Sequence, residues 1–192
     1  MRIITGTARG YRLETLSGDG TRPTAERVKE GVFSALQFDI EGRQVLDLFA
    51  GSGQMGLEAL SRGAAGCVFV DKNPEAAAII RRNISGMAKR DNNTQKNAQV
   101  MNTDALAYLK KSNDMFDIVF IDPPYSSNLH AVALEAVEPH MNAGGVIICE
   151  TENDTQLSEN VGGFGLSRVY NYGRVRIWLY RFKGDQNEGV CV

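Results

Sequence analysis

From Gln44 onward the chain alternates short apolar runs with amphipathic stretches, and no other feature restricts its fold as much. The runs are QVLDLF (44–49), GCVFVD (66–71), AQVMN (98–102), FDIVFID (116–122) and GGVIICE (144–150). Segments with helical spacing begin between them near Gln54, Pro74, Thr103 and Leu129. The clearest is PEAAAIIRRNISGMA, whose Ala76, Ile80, Ile84 and Met87 share one stripe. A strand apolar along its whole length needs cover on both faces, and an amphipathic connection between two such strands supplies it. The expected fold is therefore α/β, a doubly wound, mostly parallel, Rossmann-like sheet. The final third breaks the pattern: 165–182 reads as two strands joined near Tyr172 and Gly173, an antiparallel edge hairpin that brings the sheet to seven strands.

Ahead of the alternation, RIITGTARGYRLETL reads as two short strands around a turn at 8–10. After the Gly-rich SGDGTRP, Thr24 is placed to cap a helix carrying Val28, Val32, Ala35 and Leu36 at helical spacing. The chain thus divides into a hairpin-and-helix extension (1–43), a main domain (44–183) and a polar tail (184–192) expected to be disordered. The stretch from Ala88 to Asn97, AKRDNNTQKN, reads as a mobile polar loop.

A chain of 192 residues has room for one such core. No apolar run approaches the roughly 20 residues that cross a bilayer, and MRIITGTARGYR lacks the apolar centre of a signal peptide, so a cytoplasmic protein is expected. Cys67 and Cys149 lie in strand runs and read as core thiols. With no CxxC spacing, and with His130 and His140 isolated, no metal site is expected. A net charge of −2 argues against a protein that coats nucleic acid, yet two stretches are locally basic. Arg2, Arg9 and Arg12 lie in the first, and Arg168, Arg174, Arg176, Arg181 and Lys183 in the last. Either can dock a polyanion or merely solvate a hairpin.

The first strand runs into LDLFAGSGQMGLEAL, where Gly51, Gly53 and Gly56 match G-x-G-x-x-G, and Asp71 follows Gly51 by 20 positions, where an acid can hold ribose hydroxyls. Spacing alone reads as a dinucleotide fingerprint. Asp47 argues otherwise, because a carboxylate just before the glycines would face the pyrophosphate that such a loop binds. S-adenosylmethionine, with a sulfonium, an ammonium and no phosphate, suits Asp47 and Asp71 together. Asp104, in MNTDALAYL, has two readings: an acceptor for the adenine amine, or a helix N-cap.

The fourth run ends in Asp122-Pro123-Pro124-Tyr125. The exocyclic amine of a nucleobase is a weak nucleophile because its lone pair is delocalised into the ring. Two acceptors, the Asp122 carboxylate and the Pro123 carbonyl, would take both N–H bonds and aim the lone pair at a methyl group. The prolines would hold those acceptors in one direction. Tyr125 would stack on the base, worth ~1–3 kcal/mol in such contacts. Direct displacement at a sulfur-bound methyl needs no metal and no covalent enzyme intermediate. The bland alternative is a rigid turn in which Tyr125 only packs. A nearby sulfonium would keep Asp122 ionised despite burial.

Together, DLFAGSGQMGLEALSRGA, VFVD and DPPY resemble the class I methyltransferases of amino groups that use S-adenosylmethionine. RIITGTARGYRL followed by TRPTAERVKEGVFSAL narrows the resemblance to the RsmD-type 16S rRNA guanine-N2 methyltransferases, over nearly the whole chain. The resemblance implies that Asp47, Phe49, Gly51, Gly53, Asp71 and Asp104 line the cofactor, and that Asp122, Pro123, Pro124 and Tyr125 hold the guanine. It implies that Arg22 and Thr24 close over cofactor and substrate, and that Arg9 and Gly10 help dock RNA. The target base must leave its stack. So lean a fold is expected to act as a monomer on ribosomal RNA within an assembling small-subunit particle. Rival readings are adenine-N6 methylation of DNA, an NAD-dependent oxidoreductase, and an RNA-binding module without catalysis.

Overall fold

The computed structural model describes residues 1–16, 23–91, 93–124 and 129–184. Helix α1 (Pro23–Ala35) precedes β1 (Gln44–Leu48), α2 (Gln54–Ser61), β2 (Gly66–Asp71), α3 (Pro74–Ala88), α4 (Asn93–Lys96), β3 (Ala98–Asn102), α5 (Ala105–Lys111), β4 (Phe116–Ile121) and α6 (Leu129–Val137). Then come β5 (Met141–Glu152), β6 (Asn160–Val161), β7 (Phe164–Tyr172) and β8 (Val175–Phe182). One sheet contains all the strands, in the order β3-β2-β1-β4-β5-β8-β7-β6. β1 to β5 pair in parallel, and β8, β7 and β6 continue the sheet antiparallel.

The eighth strand, β6, is one more than the sequence pattern predicts, because a two-residue edge strand is too short to show a period of two. β5 also begins before the apolar run, since its pairing with β4 shifts register between Phe116 and Ile118 and the polar, Gly-containing start is absorbed there. Within the stretch expected to be a mobile loop, Asn93–Lys96 forms a helical turn, with Thr94 buried. Helix α1 starts at Pro23, a residue whose fixed φ suits the first helical position, so Thr24 lies inside the first turn rather than capping it.

Alternation along the strands sorts side chains into two cores. Val45, Phe69, Ile118, Phe120 and Ile148 face one core together with α1, α2 and α3. Leu46, Leu48, Val70, Val119 and Ile147 face the other with α5 and α6. Ile3, Ala8 and Leu13 belong to the first core, so the N-terminal arm is packed into the same interior as the sheet.

The arm is held less by strand pairing than the sequence reading expects. Its ladder is one antiparallel bridge, Arg2 with Arg12. Ser61, which takes the Thr7 and Ala8 N–H groups and donates to the Thr5 carbonyl, and a buried carboxylate of α2 add to the holding. Glu58 of α2, 0% exposed, accepts the Ile4 and Thr5 N–H groups at 2.8 and 3.0 Å and Arg62 Nε at 2.9 Å. Lys29 Nζ lies 3.4 Å from Glu58 and donates to the Arg2 carbonyl at 2.6 Å. Burial lowers the Lys29 pKa, and Glu58 opposes that shift. A buried charge with this many donors is costly to orphan, about 3–5 kcal/mol, so Glu58 fastens the arm to α2.

Candidate active site

A cleft of about 720 Å³ opens at the carboxyl ends of the parallel strands, where strand order reverses between β1 and β4. Open α/β sheets bind ligands at this point, and the volume suits a molecule of cofactor size.

The loop after β1 is shaped by its backbone. Phe49 has φ 87°, unique among the described non-glycine residues, a conformation unfavourable for an aromatic residue. The cause is visible in the hydrogen bonds: Phe49 and Ala50 N–H both donate to the Val70 carbonyl, at 3.0 and 2.9 Å, which hooks the loop onto the end of β2. Phe49, Ala50, Gly51 and Ser52 consequently line the cleft. Gly51 has φ 54° and a Cβ there would meet no protein atom within 4 Å, so its own conformation demands glycine. Gly53, at φ 77°, shares that demand and also serves packing. A Cβ on Gly53 would lie 3.1 Å from Ile80 Cγ1, and one on Gly56 would collide with the Phe69 ring, so these two let α2 close on its neighbours.

Asp71 is fixed by two backbone donors. Its Oδ2 accepts Gly51 N–H and its Oδ1 accepts Asn73 N–H, both at 2.8 Å. Each oxygen keeps lone-pair capacity for a ligand hydroxyl, and Asp71 lines the cleft. Asp104 also lines it, and its Oδ1 accepts Ala107 N–H at 3.0 Å, so the N-cap reading of this residue holds.

Asp47 is placed differently from the sequence expectation. It shares the strand face of Val45, the face that α2 covers; it is 5% exposed and absent from the cleft wall. Its Oδ2 accepts Gly56 N–H at 2.9 Å beneath the loop. Burial pushes its carboxyl up to about 7, the Gly56 N–H pulls it down, and the charge of Asp71 adds to the rise. Gly53 likewise sits outside the cleft wall.

Asp122, Pro123 and Pro124 lie in the wall one step beyond the last residue of β4. Asp122 and Pro124 are exposed and Pro123 is buried, so the burial anticipated for Asp122 is not found. Tyr125 and Arg22 lie outside the described residues, as does the side chain of Thr24. Arg9 and Gly10 are exposed on the arm and apart from the cleft, which the arm reaches instead through Met1, Thr15 and Leu16. The sequence reading passed over Glu150, Lys72 and Gln54, all in the wall. Glu150 carried a usable signal, since it closes an apolar run as Asp122 does. Among the described residues, the wall's charged side chains are Asp71, Asp104, Asp122 and Glu150 against Lys72. Such a surface favours a cationic ligand and disfavours a pyrophosphate.

Basic residues of the C-terminal strands are largely engaged within the fold. Arg181 pairs with Asp39 at 2.7 Å, Arg176 bonds Asn171 and the Thr155 carbonyl and lies over Trp178, and Arg168 lies over Tyr170.

Comparison with known proteins adds the following. Residues 1–181 match the family described as "Conserved hypothetical protein 95". Ribosomal RNA small subunit methyltransferase D of Haemophilus influenzae is 37% identical over 183 residues, covering 88% of this chain and 93% of that protein. The solved structure of the Escherichia coli yhhF protein superposes with a TM-score of 0.80 at 33% identity, covering 95% of this chain and 97% of that one. The Thermus thermophilus 16S rRNA N2 G1207 methyltransferase, solved with AdoMet and guanosine, shares the fold at a TM-score of 0.68 and 20% identity, covering 88% of this chain and 45% of that one.

Proposed function

This chain belongs to the conserved hypothetical protein 95 family, that of the RsmD-type methyltransferases, and on that premise we propose that it methylates the N2 amine of a guanosine in small-subunit ribosomal RNA with S-adenosylmethionine. One observation carries the reading: the Asp122-Pro123-Pro124 turn and the Asp71-anchored glycine loop share one cleft, across the β1/β4 switch point.

The cofactor's charge and shape suit this wall. Asp71 would accept hydrogen bonds from the ribose hydroxyls, Asp104 would accept from the adenine amine, and the acids of the wall would attract a sulfonium and an ammonium. When bound, S-adenosylmethionine supplies an electrophilic methyl group. Asp122 accepts one N–H of the guanine amine and the Pro123 carbonyl accepts the other, which turns the nitrogen lone pair toward that methyl. Pro123, buried and with its φ locked, keeps both acceptors on one side of the turn. Tyr125, the next residue but one, stacks on the flipped base. The proton released after transfer passes to Asp122 and on to solvent, to which that carboxylate is exposed.

An NAD-dependent oxidoreductase fits less well, because the described residues of the wall set four carboxylates against one lysine, a balance that disfavours a pyrophosphate. A monomeric enzyme in the cytoplasm acting on a partly assembled small-subunit particle is the setting we propose. Among the described residues no helix is long and apolar enough to cross a membrane.

The test is transfer of labelled methyl from S-adenosylmethionine to small-subunit particles lacking their modifications, followed by nucleoside analysis. N2-methylguanosine in 16S rRNA is the expected product. N6-methyladenosine, or label in DNA instead, would move the assignment to the adenine-N6 reading.

A further inference from the structure

A second depression lies beside the cleft, between the N-terminal arm and α3. It is shallow and open to solvent, with a volume of about 430 Å³. Gly86 makes it possible: a Cβ at that position would overlap Tyr11 Oη, so the phenol lies directly against the helix backbone. Arg90 then covers the ring, its guanidinium 5.5 Å from the centroid, and its Nη1 donates to the Arg9 carbonyl at 3.1 Å. The arm and the end of α3 are thereby joined at one edge of the groove.

The groove is basic on a chain whose net charge is −2. Among the described residues, Arg81, Arg82 and Lys89 line it with a single acid, Glu14. Arg82 Nε bonds Glu14 at 2.8 Å, but both side chains are more than half exposed, at 54% and 58%. An exposed pair of this kind contributes little net stability, so Arg82 can turn to a better anion at little cost. Arg81 makes one long bond, 3.4 Å from Nη2 to the Val100 carbonyl, and its side chain is exposed to solvent. Exposed cationic donors along a groove form the chemistry that receives an RNA strand through its phosphates.

The groove is also coupled to the cleft. Glu14 is in the groove wall, and the next two residues, Thr15 and Leu16, are in the cleft wall. At about 3.3–3.6 Å per residue the two sites adjoin within roughly 10 Å. Asn83, fully buried, ties them from below: its Nδ2 donates to the Glu14 and Ser52 carbonyls at 3.0 Å each, and its Oδ1 accepts Glu14 N–H at 2.9 Å. Ser52 belongs to the glycine loop that lines the cleft.

We propose that this groove binds the phosphate backbone of the RNA strand a few nucleotides from the target guanosine, and so sets which base reaches Asp122. The inference rests on the methyltransferase reading above. It adds α3 to the RNA-facing surface expected from the arm alone.

Arg81→Gln/Arg82→Gln/Lys89→Gln in the full chain tests it, with Lys89→Glu as a second variant that leaves the arginines and their bonds to the fold in place. Binding of small-subunit RNA is followed against salt concentration, without turnover, alongside S-adenosylmethionine affinity and steady-state kinetics. The triple variant should weaken RNA binding at least tenfold and flatten the slope of log K against log[salt] by about 2, as loss of two or three phosphate contacts requires. KM for the particle should rise in step, with kcat within about threefold and cofactor affinity unchanged. Lys89→Glu should act in the same direction, about threefold to tenfold. RNA affinity and salt slope equal to wild type in both variants would overturn the proposal, as would weakening confined to an acidic protein of the particle. Failure of the function itself reads differently, as absence of methyl transfer by the wild-type enzyme.

Discussion

The ends of β1 and β4 lie side by side in the sheet, and each carries an aspartate, yet the two carboxylates have opposite environments. Asp47 is still inside the ladder, paired in register with Phe69 and Phe120, so α2 covers it and Gly56 N–H occupies its Oδ2. Asp122 stands one residue beyond the last rung, Ile121 with Cys149, and is exposed in the cleft. A shift of one or two residues relative to the end of pairing separates a carboxylate that supports a loop from one that meets a ligand. Asp71 occupies the middle ground. It is the final paired residue of β2, opposite Asn102, and it both anchors Gly51 and lines the cleft.

Substitution at these three positions should separate the roles. Asp122→Ala removes the acceptor that orients the amine, and methyl transfer should fall by about 10³-fold or more, with S-adenosylmethionine affinity changed less than about threefold. Calorimetric titration beside single-turnover kinetics reads both. Unchanged transfer would sink the mechanism.

Asp71→Ala should produce the reverse pattern. Cofactor affinity drops about 10–100-fold, because the ribose loses its acceptor and Gly51 N–H loses the group that positions the loop. Single-turnover rates at saturating cofactor should stay within about tenfold of wild type. A variant that binds cofactor normally would show that Asp71 serves only the loop.

Asp47→Asn should disturb turnover least and show instead in the pH dependence of stability. Its carboxyl is held at about 7 in the folded chain, against about 3.9 when unfolded. Below pH ~4 both states are protonated and the position costs nothing. As pH rises toward 7 the unfolded chain ionises first, so wild type loses stability relative to the variant, and above 7 the difference levels off. The asparagine of the variant cannot ionise, while its side-chain oxygen can still accept Gly56 N–H. The Tm of the variant relative to wild type should therefore climb by several degrees between pH 5 and pH 8. A difference constant across that range would mean that Asp47 is not buried as described.

Much of this could be read along the chain. Alternating runs specify the parallel sheet because strands buried on both faces leave no polar positions, and that signal survives any detail of packing. The Asp-Pro-Pro turn was legible because prolines restrict the backbone locally. Other features were not legible, for reasons particular to them. β6 is too short to carry a period, and the start of β5 is hidden by a register shift. In 88–97 polar composition masked a helical turn whose Thr94 is buried. The strand period placed Asp47 on the face of Val45, but that face is covered by α2 only once the helix has docked.

The alternation, the glycine loop, the Asp-Pro-Pro turn and the family are legible in the chain itself, since each is written in consecutive residues or fixed spacings. Packing settles the rest: which carboxylates face the cleft, that Glu58 fastens the arm, and that Tyr11 lies on Gly86 beside Arg82 and Lys89 to make a basic groove. Those features join residues tens of positions apart. Their free energy comes from burial and hydrogen bonds that exist only after the helices have packed on the sheet, which no local pattern encodes.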